Sequence, residues 1–367
     1  MNRRELLAAS LALAGVAACG PRRGAAQESF ECPPCGCAAD GIEFSAPGQC
    51  PECDMTLRPI HEQRLGMAPT ALPQGAGQFR LPGGAGQESA AITVHYYLPP
   101  GFTSDAPVLL VVPGSGRDAA EYRNVWLAMA RSSGKLIAAL EYPAETYGFA
   151  EYHMGGLIKD LTFPDVQPRR VGRGEVLDVV DDGDIAFAAN PDPARWLFAD
   201  FDRIFEHLKQ ATGASATHYD VFGHSAGAQV AHRFVLCRPQ SKARRVIAAN
   251  AGFYTLPSLK DALPVGLNGT GLTSETLLNA LGKELIILLG AEDNHDGAGG
   301  TLLHSPLVDQ QGRHRLSRGQ FFFRTAQALA EREQAPLRWH LAVVDGVGHD
   351  FRAMSEAAAP YLLQPDA

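Results

Sequence analysis

The stretch Tyr219-Asp220-Val221-Phe222-Gly223-His224-Ser225-Ala226-Gly227 decides the fold. Its first residues form the end of an apolar strand pattern, and apolar residues at helical spacing follow Gly227. Between the two patterns stands G-x-S-x-G, which is typical of a serine on a sharp turn from a strand into a helix. The two glycines suit that turn because it leaves no room for Cβ atoms beside the serine. Ser225 is therefore the predicted nucleophile.

A serine hydroxyl is a weak nucleophile at neutral pH, so it needs a nearby base and an acid that orients the base. In hydrolases with this turn, the acid and then a histidine follow the serine along the chain. Asp293 comes just after the predicted strand 285–290, and His349 follows the last predicted strand. We predict Asp293 as the acid and His349 as the base, with Asp296 as the alternative acid in the same loop.

The negative charge that develops on a carbonyl oxygen under attack needs two backbone N–H donors. Ala226 is the first predicted donor, because it follows the nucleophile at the positive end of a helix. Ser115 is the second, in the glycine-rich loop 112–118 after the first buried strand. The alternative for this loop is an ordinary glycine-rich turn.

Strand patterns alternate with amphipathic helix patterns on both sides of this motif. Val108 to Val112 is a continuous β-prone run, typical of a sheet covered on both faces. The alternation predicts an α/β fold with a mostly parallel sheet and helices on both faces. Two longer irregular stretches, 142–195 and 255–280, are predicted lids or pocket walls. The other predicted strands are 91–98, 136–141, 219–223, 245–250, 285–290 and 339–344, and the predicted helices are 119–132, 196–211, 225–237, 318–333 and 352–363.

Four stretches of the chain match motifs of a known family: Pro113-Gly114-Ser115-Gly116-Arg117-Asp118-Ala119, Gly223 to Gly227, Ala248-Ala249-Asn250-Ala251-Gly252-Phe253-Tyr254 and Gly346-Val347-Gly348-His349-Asp350. With them, residues 90–363 resemble an α/β-hydrolase of the polyhydroxybutyrate-depolymerase and feruloyl-esterase-like branch. Pro113 departs from that family, in which a histidine usually precedes the glycine. The resemblance implies hydrolysis of a small-molecule or polymeric ester through an acyl-enzyme, but this fold also hosts other activities and some non-catalytic members.

Six of the seven cysteines lie in the first 53 residues, and Cys237 is the seventh. Cys32-Pro33-Pro34-Cys35 and Cys50-Pro51-Glu52-Cys53 form two C-x2-C pairs, a spacing that can present four thiolates to one Zn²⁺. We predict these four cysteines as metal ligands in a small module, residues 32–59. Two disulfides in an oxidising compartment are the alternative.

Part of this module, Pro47 to Pro59, resembles the short heavy-metal-binding domain found beside copper and zinc efflux proteins. The resemblance covers about 30 residues, and the first half of the module departs from that family at Cys35, where histidine is usual, and at the additional Cys37. The second half departs at Asp54, where glycine is usual. Four thiolates favour a closed structural Zn²⁺ site, whereas Met55 and Cys37 also suit a softer ion such as Cu(I).

The first 19 residues are predicted to be a signal peptide. Arg3 and Arg4 precede an apolar stretch, 6–18, that is too short to span a bilayer. Val16-Ala17-Ala18-Cys19 resembles a lipobox, and the arginine pair resembles a twin-arginine signal, with ordinary Sec export as the alternative. We expect a periplasmic lipoprotein, tethered to the membrane through Cys19 alone.

A tether, 20–31, and a Pro- and Gly-rich linker, 60–75, are predicted on either side of the cysteine module, and the hydrolase domain is predicted over 76–367. The net charge of −8 disfavours nucleic acid as a partner, because phosphate binding needs clustered positive charge.

Two functions compete on these observations. In the first, the chain is an exported serine esterase with a metal-binding appendage; in the second, it is a metal-binding lipoprotein whose hydrolase-fold domain is a non-catalytic scaffold. The complete set of Ser225, Asp293 and His349 favours the first, since a scaffold has no use for all three. The sequence leaves the oligomeric state open.

Overall fold

The computed structural model describes residues 30–32, 37–39, 42–60, 63–162, 167–171, 175–179, 181–295 and 302–364. They divide into two compact units with the boundary between Ile60 and His61. The predicted signal peptide with Cys19, most of the predicted tether, Cys35 and Asp296 lie outside the described residues. No helix in these described ranges combines the length and the apolar character needed to cross a membrane.

The first unit contains a small antiparallel sheet of two-residue strands in the order β2–β1–β3. The strands are β1 (Phe30–Glu31), β2 (Glu43–Phe44) and β3 (Arg58–Pro59). Among the described residues of this unit, the buried core consists of Phe30, Cys32, Ala39, Cys50 and Leu57. With so little apolar surface to bury, a unit of this size needs a further stabilising element.

The second unit is built on a nine-stranded sheet in the order β16–β15–β14–β13–β7–β8–β6–β5–β4. Six neighbouring strands run parallel to one another: β8, β7, β13, β14, β15 and β16. Strand β6 is antiparallel to both β5 and β8. Four other strands of the unit form two small antiparallel pairs, β9 with β12 and β10 with β11. The strands of the second unit are β4 (Gln63–Met67), β5 (Gly75–Leu81), β6 (Ile92–Leu98), β7 (Val108–Val112), β8 (Leu136–Glu141), β9 (Ile158–Thr162), β10 (Gln167–Val171), β11 (Glu175–Val179), β12 (Ala186–Ala189), β13 (Tyr219–His224), β14 (Ala243–Ala249), β15 (Glu284–Gly290) and β16 (Trp339–Val344). Its α-helices are α1 (Ala119–Asn124), α2 (Leu127–Ser133), α3 (Ala199–Thr212), α4 (Ala226–Cys237), α5 (Ser274–Leu281), α6 (Arg315–Glu333) and α7 (Phe351–Leu363).

The centre of this sheet is covered on both faces. Every residue of β7 is fully buried, although alternate side chains of a strand point to opposite faces. Helix α4 packs on β13 and β14, α6 packs on β15 and β16, and α7 packs on β13, β14 and β15. The predicted α/β-hydrolase fold is confirmed.

The structure departs from the sequence predictions at the edge of the sheet and in the irregular stretches. The predicted linker, 60–75, contains β4, which pairs in parallel with β5, so the sheet begins before residue 76. Most β4 side chains are exposed, so backbone hydrogen bonding holds this strand and no apolar pattern marks it. The stretch 142–195 contains β9 to β12, 255–280 contains most of α5, and the predicted helix 119–132 is divided into α1 and α2.

Candidate active site

Ser225 stands on the turn between β13 and α4. Its backbone has φ 57° and ψ −115°, a conformation that non-glycine residues rarely adopt. The Ser225 amide donates a 2.9 Å hydrogen bond to the carbonyl oxygen of Ala249 at the end of β14. A Cβ atom at Gly227 would lie 1.9 Å from the carbonyl oxygen of Val112, and one at Gly223 would lie 2.2 Å from that of Gly227. Both glycines are therefore required by the path of the backbone around the serine.

Ser225, His349 and Asp293 form a continuous hydrogen-bonded chain. His349 Nε2 lies 3.0 Å from Ser225 Oγ, and His349 Nδ1 lies 2.6 Å from Asp293 Oδ2. The Asp293 side chain is fully buried and the His349 side chain is 7% exposed. The alternative acid Asp296 lies outside the described residues.

The acceptor chemistry of the carboxylate fixes the tautomer of His349. A carboxylate can only accept hydrogen bonds, so His349 Nδ1 must carry the proton that faces Asp293. Nε2 is then the acceptor for the hydroxyl proton of Ser225. The arrangement can take a proton from the serine while its oxygen attacks an electrophile.

Arg315, at the start of α6, lies against the other side of the same carboxylate. Its Nη1 is 3.2 Å from Asp293 Oδ1, and both side chains are almost completely buried. The Leu316 amide also donates to the Asp293 carbonyl oxygen at 3.1 Å. The Arg315 contact holds the carboxylate in one orientation and compensates its buried charge, and the Leu316 contact joins the backbone of the acid loop to the start of α6.

Asn250 joins the loops that carry Asp293 and His349. Its Nδ2 donates to the carbonyl oxygen of Gly348 at 2.9 Å, and its Oδ1 accepts from the amide of Gly290 at 2.8 Å. The side chain is fully buried, and the backbone has φ 53°, which asparagine tolerates better than most residues. One amide group thus sets the distance between the acid loop and the base loop.

His224 packs against the ring of His349 with a centroid separation of 4.7 Å. The Tyr122 hydroxyl lies 3.0 Å from His224 Nδ1. Burial lowers the pKa of His224 well below its ordinary value, and the nearby His349 and Arg315 lower it further. His224 therefore stays neutral and adds no second positive charge beside His349 when that ring takes up a proton.

The predicted oxyanion loop lies beside the nucleophile. A Cβ atom at Gly114 would lie 3.5 Å from the Cβ of Ser225, so this backbone approaches the serine closely. Ser115 is exposed at the surface of the loop. Ala226 is the first residue of α4, where an amide has no acceptor within its own helix. The roles of Ser115 and Ala226 stay predictions.

Side chains from the stretch after β8 support this loop. The Tyr152 hydroxyl donates to the carbonyl oxygen of Pro113 at 2.7 Å. The Arg117 guanidinium lies 3.4 Å above the Tyr152 ring and donates to the carbonyl oxygen of Tyr147 at 2.9 Å. These contacts hold the loop in place next to Ser225.

The sequence alone indicates no role for the supporting side chains Arg315, Asn250 and His224, whereas Tyr152 is predicted from it as a pocket-wall residue and instead supports the oxyanion loop. Asn250 and His224 lie in stretches that carry the family resemblance, and their positions there are the signal that could have identified them. No sequence signal pointed to Arg315, because it lies 22 residues after Asp293 and reaches the carboxylate only in the folded chain.

The cysteines predicted as metal ligands lie in the first unit. Cys32, Cys50 and Cys53 come together there, and Cys35 lies outside the described residues. Cys37, the additional thiol of the predicted module, belongs to the same cluster.

The solved structures that are similar to this chain include two hydrolases. Poly(aspartic acid) hydrolase-1 from Sphingomonas sp. KT-1 is 31% identical with a TM-score of 0.67, and the match covers 80% of this chain and 100% of that one. The poly(3-hydroxybutyrate) depolymerase from Bordetella parapertussis is 29% identical with a TM-score of 0.68, and the match covers 80% of this chain and 92% of that one. The chain matches no protein-family profile and no curated protein.

Proposed function

Since the chain belongs to the family of α/β-hydrolases that includes poly(aspartic acid) hydrolase-1 and the poly(3-hydroxybutyrate) depolymerase, we propose that it cleaves carboxylic esters through an acyl-enzyme on Ser225. As a member of this family the chain is a hydrolytic enzyme. The observation that carries the proposal is the continuous hydrogen bonding from Ser225 through His349 to the buried Asp293.

In the first half of the reaction, Ser225 Oγ attacks the ester carbonyl carbon while its proton passes to His349 Nε2. Asp293 stabilises the imidazolium through the hydrogen bond to Nδ1. The amides of Ala226 and Ser115 donate to the oxyanion. When the tetrahedral intermediate collapses, the C–O bond to the alcohol breaks and the alcohol leaves with the proton from Nε2.

In the second half, water replaces the alcohol. His349 Nε2 takes a proton from water as the water oxygen attacks the acyl carbon, and a second tetrahedral intermediate forms. Its collapse breaks the bond to Ser225 Oγ, which recovers the proton from Nε2. A free acid leaves, and the three side chains return to their starting protonation states.

We propose an ester, as a small molecule or within a polyester, as the substrate. The two similar enzymes are named for a polyester and for poly(aspartic acid), whose repeating bonds are amides. An ester carbonyl is the easier target because resonance stabilises it less than an amide carbonyl, and because an alkoxide is a better leaving group than an amide anion. Release of hydroxy acid from suspended poly(3-hydroxybutyrate) and formation of new amino groups from poly(aspartic acid), measured with the same preparation, separate the two bond types.

The alternative of a non-catalytic scaffold has less support. A scaffold would need neither the hydrogen-bonded chain of Ser225, His349 and Asp293 nor the buried arginine behind Asp293. Metal binding by the first unit is compatible with catalysis by the second, so it does not favour the scaffold.

We also propose export and a lipid anchor on Cys19, on the strength of the lipobox-like stretch and the paired arginines. Expression with labelled palmitate in a Gram-negative host tests this proposal. We expect label in the membrane-bound wild-type chain and in no Cys19→Ser protein. Equal labelling of the two would remove Cys19 as the anchor.

Turnover of p-nitrophenyl butyrate tests the catalytic proposal. We expect Ser225→Ala to lower kcat/KM by about 10³-fold or more, because the triad acts as a unit. Ser215→Ala, at an exposed serine, is the matched control and should retain wild-type turnover. A folded Ser225→Ala protein with wild-type turnover would exclude Ser225 as the nucleophile.

A further inference from the structure

Four cysteine sulfurs of the first unit gather around one point. Cys32, Cys37, Cys50 and Cys53 have all their sulfur atoms within 4.8 Å of one another. Sulfur–sulfur distances are 3.4 Å between Cys32 and Cys53, and 3.9 Å both from Cys32 to Cys37 and from Cys37 to Cys50. This is a compact set of four, with Cys37 in close contact with two other members.

These distances suit a metal ion better than disulfide bonds. A disulfide requires an S–S distance of about 2.05 Å. Four sulfurs at about 2.3 Å from a tetrahedral Zn²⁺ lie about 3.8 Å from one another, which is the edge of that tetrahedron. The closest separations in the cluster, 3.4 and 3.9 Å, lie on either side of this value.

We propose that Cys32, Cys37, Cys50 and Cys53 bind one structural Zn²⁺, with Cys37 rather than Cys35 as the fourth ligand. The C-x2-C spacing led to the expectation that Cys35 would pair with Cys32. The cluster shows that a residue two positions further along also reaches the other three sulfurs. If Cys37 is the ligand, it lies five positions after Cys32, whereas the two cysteines of a C-x2-C pair are three positions apart.

The backbone around Cys50 and Cys53 is shaped for this role. The Cys50 amide donates to the carbonyl oxygen of Met55 at 2.8 Å, and the Asp54 amide donates to that of Cys50 at 2.9 Å. Asp54 has φ 58°, the left-handed conformation that explains why glycine is usual at this position. The resulting tight turn brings the sulfurs of Cys50 and Cys53 to the same side.

Burial gives a second reason for a metal. Cys32 and Cys50 are fully buried at the centre of the small core formed with Phe30, Ala39 and Leu57. A sheet of two-residue strands over so few apolar side chains does not hold a fold alone. Metal coordination supplies folding free energy in units of this kind.

The ligand set also indicates what the metal does. Zn²⁺ and four thiolates carry a net charge of −2, and binding releases the four thiol protons to solvent. Four protein ligands fill a tetrahedral site, so no position is left for an activated water. The ion stabilises the first unit, and this proposal is independent of the proposed ester hydrolysis.

Metal content of three full-length proteins tests the assignment of Cys37. The wild type, Cys37→Ser and Cys35→Ser are purified under reducing conditions with Zn²⁺ and then dialysed against a chelator. We expect one Zn²⁺ per chain in the wild type and in Cys35→Ser. Cys37→Ser should bind Zn²⁺ at least about 100-fold more weakly, because even supporting residues around a metal change affinity by 10- to 100-fold.

Replacement of Zn²⁺ by Co²⁺ provides a second readout that does not depend on affinity. Four thiolates around Co²⁺ give strong sulfur-to-metal charge-transfer bands, and these should weaken in Cys37→Ser and persist in Cys35→Ser. Ester turnover in all three proteins serves as the check that the second unit is folded. Loss of metal in Cys35→Ser with retention in Cys37→Ser would overturn the assignment, and so would a reduced wild type that binds no Zn²⁺.

Discussion

The Arg315 guanidinium lies 3.2 Å from Asp293 Oδ1, the carboxylate oxygen that does not face His349. The two oxygens of Asp293 thus serve two partners, one that keeps the carboxylate in place and one that takes part in proton transfer. Asp293 is completely buried, so a lost partner cannot be replaced freely by water.

Replacing Arg315 by methionine should lower kcat about 10- to 100-fold with little change in KM, because Asp293 would lose its orientation while the substrate site stays intact. Steady-state kinetics on p-nitrophenyl butyrate measures this split. Arg352→Met, at an exposed arginine that pairs with Glu121, is the matched control. An unchanged kcat in folded Arg315→Met would show that Asp293 needs no second partner.

Asn250→Asp should also lower kcat. The new carboxylate can still accept from the Gly290 amide, but it cannot donate to the carbonyl oxygen of Gly348 and repels it instead. The loop that carries His349 would then lose its anchor, at a cost of about 10-fold or more in kcat. Equal kinetic constants in the wild type and in folded Asn250→Asp would mean that the loop keeps its position without this hydrogen bond.

Gly227→Ala should lower the free energy of unfolding by about 3 kcal/mol or more, because its Cβ would lie 1.9 Å from the carbonyl oxygen of Val112. Urea denaturation monitored by tryptophan fluorescence gives this value. Gly101→Ala is the control, because a Cβ there has nothing within 4 Å. Similar stabilities of the two variants would contradict the close approach of β7 to α4.

The stability of the second unit should fall in acid because of His232. Its Nδ1 lies 2.9 Å from the carbonyl oxygen of Ala228, and its Nε2 accepts from the Thr255 amide at 3.0 Å, so the neutral ring satisfies both contacts. Burial, with a smaller effect of Arg233, lowers the pKa of His232 well below its ordinary value. Below about pH 6.5 the unfolded chain binds a proton here that the folded chain does not, which costs up to about 1.4 kcal/mol per pH unit.

Urea denaturation of three proteins between pH 7.5 and pH 5 measures this contribution. His232→Gln should show a shallower loss of stability with falling pH than the wild type, since an amide does not titrate. His218→Gln, at an exposed histidine, should follow the wild type. If the free energy of unfolding falls equally with pH in all three proteins, His232 is not a source of acid sensitivity.

Features of the fold and of the active site that depend on one local sequence pattern could be predicted from the sequence. The turn at Ser225 was predictable because a strand, two glycines and a helix meet within nine residues, and the buried strands followed from continuous apolar runs such as Val108 to Val112. Asp293 and His349 could be selected because each follows a strand of the parallel sheet.

Contacts between segments that are far apart in the chain could not be predicted from local sequence patterns. Arg315 reaches Asp293 only because α6 begins beside the acid loop, and Asn250 joins two loops whose separation depends on the packed sheet. β4 carries no apolar alternation because its side chains are mostly exposed. The position of Cys37 depends on a backbone path that spacing alone does not define.

Mass spectrometry after reaction with a fluorophosphonate tests the central claim most directly. The serine that attacks an ester should also attack this phosphorus electrophile, displace fluoride and retain the phosphonyl group. We expect a single adduct on the peptide that contains Ser225, with little labelling of Ser225→Ala and slower labelling of His349→Ala. An adduct on another serine, or equal labelling of wild type and Ser225→Ala, would contradict the assignment of Ser225 as the nucleophile.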